Sequence, residues 1–158
     1  MKIFASLGTM DMPFTRMAEA VDQWAEKHSE AVVTVQTGHT HYSYNHCQSF
    51  AFCTKEEMKK HIQEADILIL QGGWGAISEA MEMGKRMVVM PRHDKTEHIH
   101  DQFQLVRKLD SLGCVVGVFD EKRLDVCMEK ALTHPFRNLP KGDAETLIRT
   151  KLEEWMGK

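Results

Sequence analysis

The sequence of 158 residues lacks the features that would commit it to a specialised class. No apolar run approaches the roughly 20 residues needed to span a membrane. The chain enters a strand-like segment at once, Lys2-Ile3-Phe4-Ala5-Ser6-Leu7, with no signal-peptide pattern before it. Its four cysteines, Cys47, Cys53, Cys114 and Cys127, are scattered and form no C-x-x-C pair. They read as reduced, mostly buried thiols rather than a disulfide or metal framework. A basic excess is missing too, and the net charge of -3 argues against general nucleic-acid binding. No internal repeat, low-complexity tract or second domain is visible. What is present is ordinary for a globular chain, 42% hydrophobic and 27% charged. The expectation is a soluble, cytoplasmic, single domain with a core over 1–133, a connector over 134–143 and a C-terminal helix over 144–158.

The stretch from Asp66 to Arg92 organises the rest. Ile67 to Leu70 is an uninterrupted apolar run, the habit of a strand buried on both faces of a parallel sheet. A glycine-rich turn follows, then a short helical segment stopped by Gly84, then a second apolar run from Met87 to Met90. A helix that starts directly after a strand gathers free backbone N–H groups and the positive end of its dipole, which suits a phosphate.

Elsewhere strands and helices alternate. Ile3 to Leu7 reads as the first strand and ends in the glycine turn Gly8-Thr9. Pro13 suits a first helical turn, and Phe14, Met17, Ala18, Val21 and Ala25 form one apolar stripe behind it. Ala31 to Val35 is the second strand, Gln36 to Gln48 a long polar and histidine-rich loop, and Phe50 to Phe52 a short strand. Thr54 and Glu57 form a capping box for a helix whose apolar face holds Met58 and Ile62. After the charged loop from Arg92 to His98, Ile99 to Leu112 reads as a helix stopped by Gly113. Cys114 to Phe119 reads as a strand, and Leu124, Cys127, Met128 and Ala131 mark another helix. Ala144, Leu147, Ile148 and Trp155 describe a last amphipathic one. This alternation predicts an α/β fold with a mostly parallel sheet and helices on both faces. Ligands of such sheets bind beyond the carboxyl ends of the strands, which places Gly8-Thr9, the Gln71 to Gly75 loop and the Arg92 to Gln102 loop on one rim.

Gly72, Gly73 and Gly75 fit a turn whose backbone must approach a phosphate, although a tight turn alone also asks for glycine. The pattern is not the G-x-G-x-x-G dinucleotide fingerprint, and no G-K-[ST] follows as in a P-loop. Glu79, one helical turn on, could accept two hydrogen bonds from a ribose diol, or be a surface glutamate favoured by the helix N-terminus. Arg92 is equally readable as an anion ligand or a surface residue. His39, His41 and His46 in one loop, with His93, His98 and His100 in another, raise the question of a metal. No zinc-binding spacing is present, so a solvated rim is the preferred account and no metal or cofactor is assigned. Nor does the order of residues suggest a serine–histidine–acid triad.

Several segments, taken in order, resemble the C-terminal, donor-binding domain of glycosyltransferase family 28. Leu7-Gly8-Thr9 with Pro13-Phe14-x-Arg16 resembles its G-T…P-F-x-R-L, and Val35-Gln36-Thr37-Gly38 its V-Q-x-G. Gly73-x-Gly75-x-x-x-Glu79-Ala80 resembles G-x-G-S-x-x-E, and Gly84-Lys85 with Val89-x-Pro91-Arg92 resembles G-K-P…V-P-R. Glu97-His98 with Gln102 is similar to E-H…H-Q. Gln71 stands where the family has His, Ala76 where it has Ser or Thr, and Asp101 where it has the His of H-Q. Within the family the likeness points to the small catalytic subunits of two-component UDP-sugar transferases, both the dolichol-linked N-acetylglucosaminyltransferase subunit and its bacterial exopolysaccharide counterparts.

This resemblance implies a Rossmann-like domain equivalent to the C-terminal half of a GT-B glycosyltransferase. It implies that the Gly73-Trp74-Gly75-Ala76 turn, next to Gly72, holds the donor diphosphate, Glu79 the ribose, and Asp101 with Gln102 the sugar hydroxyls. Gly8 and Thr9 would line the same cleft, with Arg92 on the wall near the base. The implied reaction is inverting transfer from a UDP-sugar, UDP-GlcNAc or a related hexose, to a lipid-linked acceptor. A membrane-anchored partner subunit would present that acceptor, keeping this chain peripheral at the membrane. No base is assigned, and His98 is the candidate within this chain. The alternatives are a non-catalytic nucleotide-sugar binding module and a metal-binding protein built on the histidine loops.

Overall fold

A computed structural model of the chain describes residues 1–92 and 102–139. His93, His98, His100 and Asp101, the start of the helix expected from Ile99, and the expected last helix lie outside these residues.

Among the described residues six strands form one sheet. They are β1 (Lys2–Ser6), β2 (Val32–Gln36), β3 (Gln48–Phe50), β4 (Ile67–Gln71), β5 (Arg86–Met90) and β6 (Val116–Gly117). Their spatial order is β3-β2-β1-β4-β5-β6 and every pairing is parallel. Between them run α1 (Thr15–Lys27), α2 (Lys55–Glu64), α3 (Trp74–Glu82) and α4 (Phe103–Ser111), and α5 (Leu124–Thr133) follows β6. This is the Rossmann order, in which the chain reverses its direction of travel between β1 and β4.

The strand alternation decides which helix covers which face. Ile3, Ala5, Ile67, Ile69, Val88 and Met90 point to one side, where α1 and α5 close the core with Met17, Val21, Trp24 and Met128. Phe4, Leu68, Leu70, Met87 and Val89 point to the other, against Ile62 of α2, Ile77 and Ala80 of α3, and Val106 and Leu109 of α4. Strands β1, β4 and β5 are therefore apolar along most of their length, as the unbroken runs implied.

Local signals act where physical chemistry puts them. Thr54 caps α2 by accepting from the Glu57 backbone N–H at 3.2 Å, while the Glu57 carboxylate accepts from the Thr54 N–H at 2.8 Å. Gly84 ends α3 and Gly113 follows α4 in the left-handed region, at φ of 64° and 73°. Some boundaries shift. Pro13 precedes α1 instead of entering it, because Phe14 is the cap and its N–H is taken by the Thr40 hydroxyl at 2.9 Å. The short strand falls on Gln48–Phe50 rather than 50–52, since Thr34 to Gln36 of β2 offer their pairing edge there. The β6 ladder is two residues long, extended by the Val118 N–H bonding to Val89 O at 2.8 Å.

Candidate functional site

The carboxyl ends of β1, β2, β4 and β5 meet on one rim. There the sequence places polar side chains at positions otherwise apolar, and each of them has a buried task. Gln36 accepts from the Ser6 hydroxyl at 2.7 Å and donates to the carbonyls of Gly8 and Ala51 at 3.1 and 2.9 Å. This ties the ends of β1, β2 and the segment after β3 together. Gly38 must be glycine at this join, because its φ is 57° and a Cβ would lie 2.2 Å from the Gly8 oxygen.

At the β4–α3 turn, Gly73 is the residue before helix α3 and no side chain caps that helix. The N–H groups of Trp74, Gly75 and Ala76 consequently have no intrahelical acceptor, and no partner for them occurs among the described residues. They point outward together at the positive end of α3. Gly75 is exposed, and a Cβ built on it meets nothing within 4 Å. Glu79 lies four residues further, on the same helix face and opposite the buried Ile77, Ala80 and Met81. It is half-buried, and its carboxylate has no hydrogen-bond or ion-pair partner among the described residues. Trp74 stands exposed beside them, while the Ser78 hydroxyl turns back onto the Gly75 carbonyl at 3.0 Å. The helix start thus offers free donors, an open approach and an unspent carboxylate. Across the switch point Gly8, at φ of 86°, and the exposed Thr9 close the β1 end, so Gly8 and the β4–α3 turn face the same crevice.

The other two glycines of the motif serve a different purpose. A Cβ on Gly72 would lie 2.7 Å from Gln102 Oε1, and one on Gly73 would lie 2.0 Å from Gln71 Nε2. Both residues are small because two glutamine side chains occupy the space beside them. Gln102 is 8% exposed, and both ends of its amide are engaged. Its Oε1 accepts from the Arg92 backbone N–H at 3.0 Å and its Nε2 donates to Gln71 Oε1 at 2.9 Å. The Gln102 N–H bonds in turn to Arg92 O at 3.1 Å, so these two residues clasp the ends of the 93–101 segment.

Arg92 is placed differently from either reading of its sequence position. Its side chain is 1% exposed, with Nη2 donating to Leu7 O at 2.7 Å and Nη1 to Met12 O at 2.8 Å. Its guanidinium also stacks over the Phe14 ring at 4.6 Å. This is the geometry of a group that fastens the β1–α1 loop to the end of β5. Neither a surface arginine nor a charge presented to solvent at the rim fits it.

Asp22 gave no sequence signal beyond its charge in an apolar stripe. It is buried on α1, and its carboxylate accepts the N–H groups of His46 at 2.9 Å and Asn45 at 3.1 Å. That anchors the loop between β2 and β3. Beside it, burial first and the Asp22 charge second push the Cys47 thiol up to about 12. The histidines of the loop do not converge: His39 packs edge-on against Phe52, and His46 faces Glu26 at 3.9 Å. Among the described residues no three metal-ligating side chains come together. No helix among them is long and apolar enough to cross a membrane.

An all-parallel sheet of this order, with an uncapped glycine-rich helix start at its switch point, defines a Rossmann-like class of domain. Residues 8–154 match the glycosyltransferase family 28 C-terminal domain, and the chain belongs to that family. In structure it is similar to the glycotransferase of kitacinnamycin, with a TM-score of 0.67 at 17% identity over 85% of this chain and 35% of that one. A putative UDP-N-acetylglucosamine 2-epimerase from Listeria monocytogenes gives 0.59 at 15% identity, over 99% of this chain and 46% of that one. The glycosyltransferase SnogD from Streptomyces nogalater gives 0.50 at 17% identity, over 82% and 36%. The chain therefore spans less than half the length of each of these structures, and its fold is that of the C-terminal half of GT-B glycosyltransferases. A comparison with curated proteins returns no match.

Proposed function

We propose that this chain is the donor-binding part of a glycosyltransferase. It holds a UDP-sugar, UDP-GlcNAc or a related hexose donor, and acts with a separate membrane-anchored subunit that presents a lipid-linked acceptor. The observation that carries this reading is the start of α3, where three unpartnered amides stand beside the open Gly75 and the unpartnered Glu79. The amides of Trp74, Gly75 and Ala76 suit the diphosphate, with Gly73 leaving room for the Gln71 side chain just before the helix. Glu79 suits the two ribose hydroxyls, since a carboxylate accepts both at once. Gly8 and Thr9 form the opposite lip, and Asp101 takes the sugar hydroxyls.

In the proposed reaction a base removes the proton of the acceptor hydroxyl, and that oxygen attacks the anomeric carbon from the face opposite UDP. The bond to the β-phosphate oxygen breaks, and UDP leaves with the electron pair. The residues of this chain would favour that step by fixing the donor and by meeting the growing negative charge with fixed N–H dipoles. His98, between Arg92 and Gln102 in the sequence, is this chain's candidate base. Family membership and the fraction of the solved structures that the chain spans both favour a second contributing surface.

Calorimetric titration of the isolated chain with UDP, UDP-GlcNAc and NAD tests the first half. UDP and UDP-GlcNAc are expected to bind and NAD not; absence of any UDP binding sinks the reading. Transfer of labelled sugar to a lipid acceptor, assayed with and without membranes carrying the partner, tests the second. Binding with no transfer under either condition would leave a nucleotide-sugar binding module instead.

A further inference from the structure

The two edges of the sheet are not alike. At the β6 edge the outward-facing residue is Gly117, and its main chain is closed off by the protein's own side chains. Its N–H donates to the Asp110 carboxylate at 2.9 Å, and its carbonyl accepts from the Cys127 thiol at 3.7 Å. At the β3 edge the outward-facing residue is Ser49, because Gln48 and Phe50 turn their main-chain groups toward β2. Ser49 is exposed, and its outward N–H and C=O have no partner among the described residues. A groove of about 500 Å3 lies beside it, with Ser49, Phe50 and Ala51 on one wall and His41, Tyr42 and Ser43 on the other. No main-chain N–H or C=O of residues 41–44 has a partner among the described residues either. That wall is nevertheless fixed from behind. The Thr40 hydroxyl accepts from the Phe14 N–H, the Tyr42 hydroxyl donates to Asp22, and the same carboxylate holds Asn45 and His46.

Building on the proposed function, which calls for a partner subunit, we infer that this groove receives an extended, uncharged peptide segment of that subunit. The segment pairs with the Ser49 edge and with the free main chain of His41 to Ser43. Unpaired main-chain groups on both walls call for a main chain between them, which presents N–H and C=O groups at the spacing of a strand. A sugar would be met by side-chain donors instead, and the hydroxyls of Thr40 and Tyr42 are already engaged within the protein. No lysine, arginine or carboxylate lines the groove, so a charged segment would lose its water without gaining a counterion. The position suits a partner as well. Gln36 donates to both Gly8 O and Ala51 O, so the groove opens on the same rim as the crevice. A subunit covering the crevice reaches the groove without crossing the β4–α3 turn, whereas the far edge at β6 is closed to a strand.

Ser49→Pro removes the outward N–H and leaves the ladder to β2 in place, as proline does on an edge strand. Ser49→Lys keeps that N–H but sets a charge in the uncharged groove. Both are assayed on native membranes of the cells that make the chain, stripped of it beforehand. Sedimentation with these membranes, and transfer of labelled sugar on them, are expected to fall about 10-fold or more when the strand pairing is lost. UDP affinity should stay within about 2-fold, as for a site distant from the change. Val126→Lys, an exposed position beside the closed β6 edge, should alter none of the three readings. Melting temperatures check that each variant is folded, and hydrogen exchange on the wild type needs no variant. The amides of Ser49 and of His41 to Ser43 should exchange more slowly when the chain is bound to the membranes. Protein-free vesicles of the lipids extracted from the same membranes should not bind. Undiminished sedimentation of both folded Ser49 variants, or no slowing of those amides in bound wild type, overturns the docking site. Equal binding to the protein-free vesicles overturns it too and assigns the groove to the lipid-linked sugar. In these three outcomes UDP binding and transfer by the wild type remain, so the proposed function stands. Wild type that neither sediments with the native membranes nor transfers sugar on them defeats the partner and the docking site together.

Discussion

The guanidinium of Arg92 donates to the carbonyl of Leu7 at 2.7 Å, joining the end of β5 to the end of β1 across the intervening β4. The same side chain reaches Met12 O and lies over Phe14. Only a planar, forked cation on a long stem can meet two carbonyls and a ring face together. Arg92→Ala is expected to cost about 3 kcal/mol, since it strands buried carbonyls and empties a large volume. Arg92→Lys should recover less than half of that. Urea unfolding of both variants measures it, and a loss below about 1 kcal/mol for Arg92→Ala would return this residue to the list of ligand candidates.

The glycines of the β4–α3 turn divide into two kinds, and the division predicts opposite phenotypes. Gly72→Ala puts a methyl 2.7 Å from Gln102 Oε1 and 2.9 Å from its Cβ. It should destabilise by about 1–3 kcal/mol, as over-packed sites do. Gly75→Ala enters open space in a helix, so stability should hold or rise by up to about 1 kcal/mol. That same methyl would stand where the diphosphate approaches, and UDP binding should drop at least 10-fold. Paired melting curves and titrations check both. Equal UDP affinity for wild type and Gly75→Ala would place the phosphate elsewhere.

This division marks where the sequence stopped being informative. The apolar runs of β4 and β5, the capping box at Thr54 and the glycine stops at Gly84 and Gly113 act through neighbours in sequence, and each was readable there. The start of α3 was readable for the same reason. Gly72 and Gly73 were read as room for a phosphate, whereas the atoms nearest them belong to Gln102 and Gln71. The Gly72–Gln102 contact and the bond that holds Gln71 to Gln102 join residues about 30 apart in the chain, and no local pattern reports them. Arg92 and Asp22 were obscure for a related cause. A charged residue reads as exposed unless something shows that its partners are backbone groups, and backbone partners leave no trace in side-chain identity. The β3 shift has the simplest origin. A three-residue strand is placed by its neighbour's free edge more than by its own composition.

Glu79 offers the cleanest test of ligand contact, because it has no partner among the described residues to lose. Glu79→Gln keeps its size and removes only the charge and half of its accepting capacity. Melting temperature should be unchanged within about 1 °C, while UDP affinity falls roughly 10-fold. UMP and uridine, which keep the ribose, should lose affinity by the same factor, whereas pyrophosphate should not. A variant that weakens pyrophosphate as much as uridine would assign Glu79 to the phosphates or to the helix dipole instead of the ribose.

The Asp22 anchor predicts a sign for the alkaline stability of the protein. Burial and the neighbouring Asp22 charge hold Cys47 at about 12, against an ordinary value of 9.0. Between these values the unfolded chain has lost the thiol proton and the native protein has kept it. Unfolding then releases a proton, so stability falls as pH rises from about 9 toward 12. Tyr44, raised by its own burial and by Cys47, and Tyr42, raised by burial and Asp22, push the same way. Urea midpoints of wild type should therefore decline above pH 9, and Cys47→Ala should decline less steeply from a lower starting value. Asp22→Asn removes the charge that opposes thiolate formation but leaves an amide that cannot serve both N–H groups as well as a carboxylate does. It should lower stability at pH 7 and flatten the alkaline slope at once. A parallel fall for wild type and Cys47→Ala across that range would show that the thiol does not sense the loop anchor.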